Sequence, residues 1–132
     1  MSAPWIRAGS AYFAAVFAVG FVFGTIRVLL IIPRIGEMAA VMLEGPLLLA
    51  VSWIFCRKFV SLFAVPSRVP DLLAMGCLAL TLTLIAEAAI SVFLAGRTIP
   101  EHLQLYRLTH VQIGLLAQFA FALFPALQNK AA

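Results

Sequence analysis

Charge is scarce in this chain. Only 11% of its 132 residues are charged: nine Lys or Arg and five Asp or Glu, beside two His. A soluble domain of this length needs far more polar surface to stay in solution. Cysteine is scarce too. Cys56 and Cys77 form no CxxC pair and no Cys/His cluster at metal-ligand spacing, and read as two small apolar packing residues. The histidines, His102 and His110, make neither HxxxH nor HExxH, and no GxSxG, P-loop or dinucleotide fingerprint occurs. Metal-assisted hydrolysis needs three ligands and a base, which are lacking. A bis-histidine haem site needs histidines deep in facing helices. Here His102 falls in an expected loop and His110 at an expected helix start. Neither a cofactor nor an enzymatic activity is therefore expected. The net charge of +4 does not point to nucleic acid, because the basic residues form no stripe and no stacking aromatics interleave them.

What the chain does have is apolar runs. Hydrophobic residues make up 64% of it, and the mean hydropathy is +1.11. A bilayer core of about 30 Å needs roughly 20 apolar residues per helix. Four segments qualify, at about 10–32, 38–56, 72–95 and 107–127. The first ends at Pro33-Arg34-Ile35-Gly36, the second at Arg57-Lys58 and the third at Gly96-Arg97, while Pro70-Asp71 opens the third. The first run is too long for a signal-peptide core, contains Arg27 and precedes no small-x-small cleavage site, so it is expected to be retained. Phe59–Val69, interrupted by Pro66, is too short to span and is expected to be an interfacial connector. The expected fold is all-α: a polytopic, antiparallel four-helix transmembrane bundle forming a single domain over residues 1–132.

Flanking cations set the orientation. Arg7, Arg57, Lys58, Arg68 and Lys130 lie on one side, and Arg34, Arg97 and Arg107 on the other. The excess places both termini in the cytoplasm. Trp5, Tyr12 and Trp53 are expected as interfacial aromatics at the cytoplasmic ends, with Tyr106 at the other.

Ionisable residues inside such runs cost roughly 2.5–3.5 kcal/mol each on insertion scales, and persist where they pair, protonate or line a wet cavity. Three lie deep within the runs: Arg27, Glu44 and Glu87. Arg27 lies eight residues before Ile35 and Glu44 nine after it, so each sits about 12–14 Å from the turn at 1.5 Å per residue. Glu87 lies ten residues before Arg97, and His110 and Gln112 enter from the same side. Each helix writes one polar stripe at helical spacing: Gly20, Gly24, Arg27 and Arg34; Glu37, Glu44 and Ser52; Gly76, Thr83, Glu87 and Ser91; Arg107, His110, Gly114 and Gln118. Arg27 can neutralise only one of the two carboxyls. The other must protonate, or reach His110 or one of Arg34, Arg97 and Arg107. Pro46 crowds the Met42 carbonyl and is expected to kink the second helix beside Glu44. Gly20 and Gly24 form a GxxxG pair, read as close packing beside Arg27 or as a homo-oligomer seam.

The stretch Gly24-Thr25-Ile26-Arg27 through Pro33-Arg34-Ile35-Gly36-Glu37, followed by Glu44-Gly45-Pro46, resembles a pattern in small uncharacterised four-span proteins of proteobacteria. The resemblance covers about a quarter of the chain. It implies a bacterial inner membrane and carries no activity. Small multidrug transporters place their key glutamate in the first helix, where this chain has Arg27, and the glycine-rich motifs of fluoride channels are not matched.

The expected function is binding or transport of a small polar or anionic solute, or of protons. Arg27 is the electrostatic anchor, Glu44 and Glu87 the titrating groups, and His110, Gln112 and Gln118 the auxiliary contacts. The alternative is a structural or assembly subunit in which Arg27–Glu44 pairing only fixes helix packing. A lipid-acting membrane enzyme using Glu87 or Glu44 ranks third.

Overall fold

A computed structural model describes residues 3–131, with side chains as far as Gln128. Lys130, counted above among the flanking cations, lies outside the described side chains. The described chain is almost wholly helical and contains no strand. We number its helices α1 (Pro4–Ile35), α2 (Glu37–Leu62), α3 (Val69–Leu94), α4 (Ile99–Gln104) and α5 (Thr109–Ala131). All but α4 are long and apolar enough to cross a membrane, α5 through the stretch Thr109–Gln128.

Local chemistry explains the boundaries. Pro4 opens α1 in the first turn, where a missing N–H costs nothing. Near its other end, α1 widens into a π-helical turn at Arg27–Ile31, in which the Ile32 N–H reaches back to the Arg27 carbonyl. Pro33 follows at once. It cannot donate to the Leu29 carbonyl and its ring crowds that group, so a widened turn relieves the clash. Gly36 alone joins α1 to α2. Its φ of +84° and ψ of 168° lie in a region that residues with a Cβ avoid.

Helices α1 and α2 extend furthest beyond the apolar runs read from the sequence. α1 begins at Pro4 because Ala8 and Tyr12 in its first turns are fully buried. α2 does not stop at Arg57-Lys58. Those two side chains are exposed, and Phe59 and Val60 pack on the core, so the helix continues to Leu62. The connector shrinks to Phe63–Arg68, with Val65 buried in the core. α2 also passes through Pro46, and α5 through Pro125, with helical backbone on both sides.

Four pairs of long helices pack together: α1 with α3, α3 with α5, α2 with α5, and α1 with α2. Two glycines bring backbones close. A Cβ at Gly9 would lie 2.9 Å from the Met75 carbonyl oxygen, and one at Gly76 would overlap the Ala122 carbonyl. Both contacts lie at the Pro4 end, where Tyr12, Cys56, Leu72, Met75 and Phe121 form the core. Large apolar side chains cover the outside, including Leu29 (68% exposed), Phe93 (83%) and Leu116 (68%). That surface suits lipid rather than water.

Tyr12 corrects one expectation. It is a core residue, not an interfacial aromatic: its ring stacks on Phe121 at 4.2 Å and its hydroxyl donates to the Phe121 carbonyl at 2.7 Å. That carbonyl is available because Pro125, four residues on, has no N–H to offer it. Trp53 meets Phe124 edge-on at 5.0 Å, and the Gln128 side-chain amide donates to the Trp53 carbonyl.

Candidate functional site

Packing is tight at the Pro4 end and open at the Gly36 end. There the helices surround a cavity of about 720 Å³, capped by the segment from Arg97 to Tyr106. Its size falls in the usual range for small-molecule sites, about 300–1,000 Å³. The polar stripes of the four long helices converge on it, but not in full. Gly20, Gly24 and Arg27 of α1, Glu44 and Ser52 of α2, and Thr83, Glu87 and Ser91 of α3 line it, with His110, Gly114 and Gln118 of α5. Arg34, Glu37, Gly76 and Arg107 do not.

The glycines explain why space remains. A Cβ at Gly45 or Gly114 would meet nothing within 4 Å, and one at Gly24 only the guanidinium of its own helix's Arg27. Gly20 faces Leu48 at 3.6 Å, ordinary van der Waals contact. The Gly20/Gly24 pair thus borders the cavity, whereas the close backbone approaches use Gly9 and Gly76. Phe21, Val28 and Leu29 also line the cavity, and each is more than half exposed. The cavity is therefore not sealed along α1.

Within it, the Arg27 guanidinium is ion-paired with the Glu44 carboxylate. Both belong to residues placed at equal depth by the turn at Gly36. Glu87 receives the side-chain amide of Gln118. This is a partner outside the cations considered from sequence, and it leaves the second carboxyl without a direct ion pair. His110 turns away from Glu87 to Glu37, with Nε2 3.2 Å from the carboxylate, and bridges the starts of α5 and α2. Gln112 stands outside the cavity lining. It is exposed and donates to the Tyr106 carbonyl at 3.0 Å, which ties the cap to α5.

The cap brings three residues to the site: Arg97, expected only as a possible partner of the surplus carboxyl, Tyr106, expected as an interfacial aromatic, and His102, expected in a loop. Arg97 donates to the Ser91 hydroxyl at 3.2 Å, and no carboxylate pairs with it among the described residues. His102 is only 8% exposed; its Nε2 lies 3.5 Å from the Tyr106 hydroxyl, and its Nδ1 has no partner. Burial, and secondarily the nearby Glu87, push the Tyr106 hydroxyl above its ordinary range. The readable signal for this cap was Thr98-Ile99-Pro100-Glu101. It forms a capping box, with Thr98 Oγ1 accepting from the Glu101 N–H and the Glu101 carboxylate accepting from the Thr98 N–H. That box starts α4 and turns His102 inward.

No group of three or more His, Cys, Asp or Glu among the described residues is arranged to hold a metal ion. Cys56 is buried in the core and Cys77 is exposed, and neither lines the cavity. No known protein family, curated protein or solved structure matches the chain.

Proposed function

We propose that the chain is a multi-pass protein of the bacterial inner membrane, an antiparallel four-helix bundle with both termini cytoplasmic. In this reading it binds or transports a small polar or anionic solute, or protons, through the cavity in its outer half. The observation that carries the reading is the cavity itself. Nearly every ionisable residue in the apolar runs borders one space of ligand-binding size, in a chain that could have closed these groups onto one another. Arg27 and Glu44 form its fixed ion pair. Glu87, held only by a neutral amide, is the carboxyl free to exchange a proton or meet a cation. A small bundle has little room for a complete pathway, so a transporter of this kind works as a homo-oligomer.

The test is flux in proteoliposomes. Wild-type protein should dissipate an imposed proton or solute gradient faster than empty liposomes, and Glu87→Gln should remove the difference. Equal flux in wild type and Glu87→Gln would take Glu87 out of the mechanism.

A structural role is the second reading. Arg27–Glu44 and Gln118–Glu87 both cross between helices, as contacts that fix register do. An assembly subunit needs those contacts and no access to the cavity, so accessibility separates the two.

A further inference from the structure

The charges that line the cavity do not all have an answer within the protein. Arg27 and Glu44 close onto each other, and His110 is turned to Glu37. Arg97 bonds the Ser91 hydroxyl, and its charge also reaches the exposed Glu101 carboxylate of the cap. Glu87 is the exception. One of its oxygens receives the Gln118 amide, and no Lys, Arg or His pairs with it among the described residues. Its second oxygen accepts no hydrogen bond among the described residues, and it is not shut off from the cavity that Glu87 lines. Arg27, Glu44 and Glu87 thus carry one negative charge more than they balance. In apolar surroundings such a charge is costly until a cation or a proton meets it.

The neighbours of Glu87 narrow the choice of cation. A metal ion such as calcium or magnesium takes about six or more oxygens in place of its water. One helical turn to either side of Glu87, the cavity offers the hydroxyls of Thr83 and Ser91. The first already donates to the Ala79 carbonyl and the second receives Arg97. Most of the remaining lining is apolar, in a cavity of about 720 Å³, far more than one bare ion fills. Aromatic rings are part of it. Phe17 of α1 lines the cavity, and Tyr106 of the cap lies near enough to Glu87 to feel its charge. Such rings attract ammonium groups over their faces.

We propose that the cavity binds a monovalent organic cation, an ammonium group on an apolar body, with the ammonium at Glu87 and the body against the apolar walls. This rests on the binding reading above and names its solute class.

The test is isothermal titration of the full chain in an uncharged detergent. Phenethylammonium, phenethyl alcohol and hydrocinnamate share one body and differ in charge. Methylammonium keeps the charge without the body, and sodium is a bare ion. Phenethylammonium should bind one-to-one, and each of the other four should bind about tenfold or more weakly, the usual effect of losing a charge-assisted hydrogen bond or an apolar contact. Glu87→Gln should reduce phenethylammonium to the affinity of phenethyl alcohol. Glu87→Asp should keep part of the preference, and it reports on the site if Glu87→Gln melts early. Gly114→Leu, filling part of the space, should weaken phenethylammonium while leaving the Glu87–Gln118 contact in place. Equal binding of phenethyl alcohol, or equal or tighter binding of hydrocinnamate, overturns the cation and leaves a solute-binding cavity. Equal binding of methylammonium or sodium overturns the apolar body. A preference for phenethylammonium that survives Glu87→Gln overturns Glu87 as its site. No binding of any probe overturns this inference, and the binding reading then stands or falls on Glu87-dependent flux in proteoliposomes.

Discussion

The Tyr12 hydroxyl donates to the Phe121 carbonyl, which Pro125 has left without its helical partner. An interior proline and a distant tyrosine thus complete one hydrogen bond between α1 and α5. Tyr12→Phe keeps the stacked ring and orphans the carbonyl, so it should lower stability by about 1–3 kcal/mol. The same change in a Pro125→Ala background should cost less, because the new N–H can take the carbonyl. Thermal melting of the four proteins in detergent checks this; equal costs in both backgrounds would show that Pro125 is not the reason for the contact.

Arg27→Met strands the Glu44 carboxylate in an apolar bundle. The side chains of Arg27 and Glu44 are 31% and 12% exposed, so the loss should be about 2–3 kcal/mol, under the range for fully buried pairs. Arg27→Met with Glu44→Gln removes both charges and should be milder than Arg27→Met alone. Simple addition of the two single effects in the same melting assay would mean that the pair is not coupled.

Glycines at the two ends of the bundle should respond oppositely. Gly76→Ala drives a Cβ into the Ala122 backbone, and should destabilise the protein severely or prevent folding. Gly114→Ala meets open space within a helix, and should be neutral or stabilising by up to about 1 kcal/mol. Comparable losses at both positions would argue against the difference in packing.

The cap should loosen in acid. The Glu101 carboxyl is held below its ordinary range, first by the Thr98 backbone N–H and then by the Thr98 side chain. A depressed carboxyl adds stability above its unfolded value, near 4.3, and that contribution is lost as pH falls through the lower folded value. Hydrogen exchange across Ile99–Gln104 should therefore accelerate below about pH 4. Thr98→Ala should accelerate it already at neutral pH, by the equivalent of about 1 kcal/mol. A pH-independent rate that Thr98→Ala leaves unchanged would show that the box does not hold the cap.

The sequence made some of this legible and hid the rest for physical reasons. Hydropathy marks the four long helices because lipid-length apolar runs have few other uses. The meeting of Arg27 and Glu44 is legible because a single turn residue, Gly36, fixes the depth of both. Tyr12 misled, since an aromatic with a polar tip suits an interface as well as a core, and the freed Phe121 carbonyl that decided the matter lies far along the chain. Charge alone points Glu87 to a cation, yet the neighbouring helix offers the amide of Gln118. The place of His102 and Tyr106 was hidden because a short capped helix, not hydropathy, brings them over the cavity.

The central claim is that the polar residues enclose an accessible space rather than closing onto one another. Gly114 lines that space and has room for a side chain. In a Cys77→Ala background, Gly114→Cys in native membrane vesicles should react with a small, membrane-permeant maleimide before any detergent is added. Modification only after detergent solubilisation or unfolding would contradict an open cavity and leave the structural role standing.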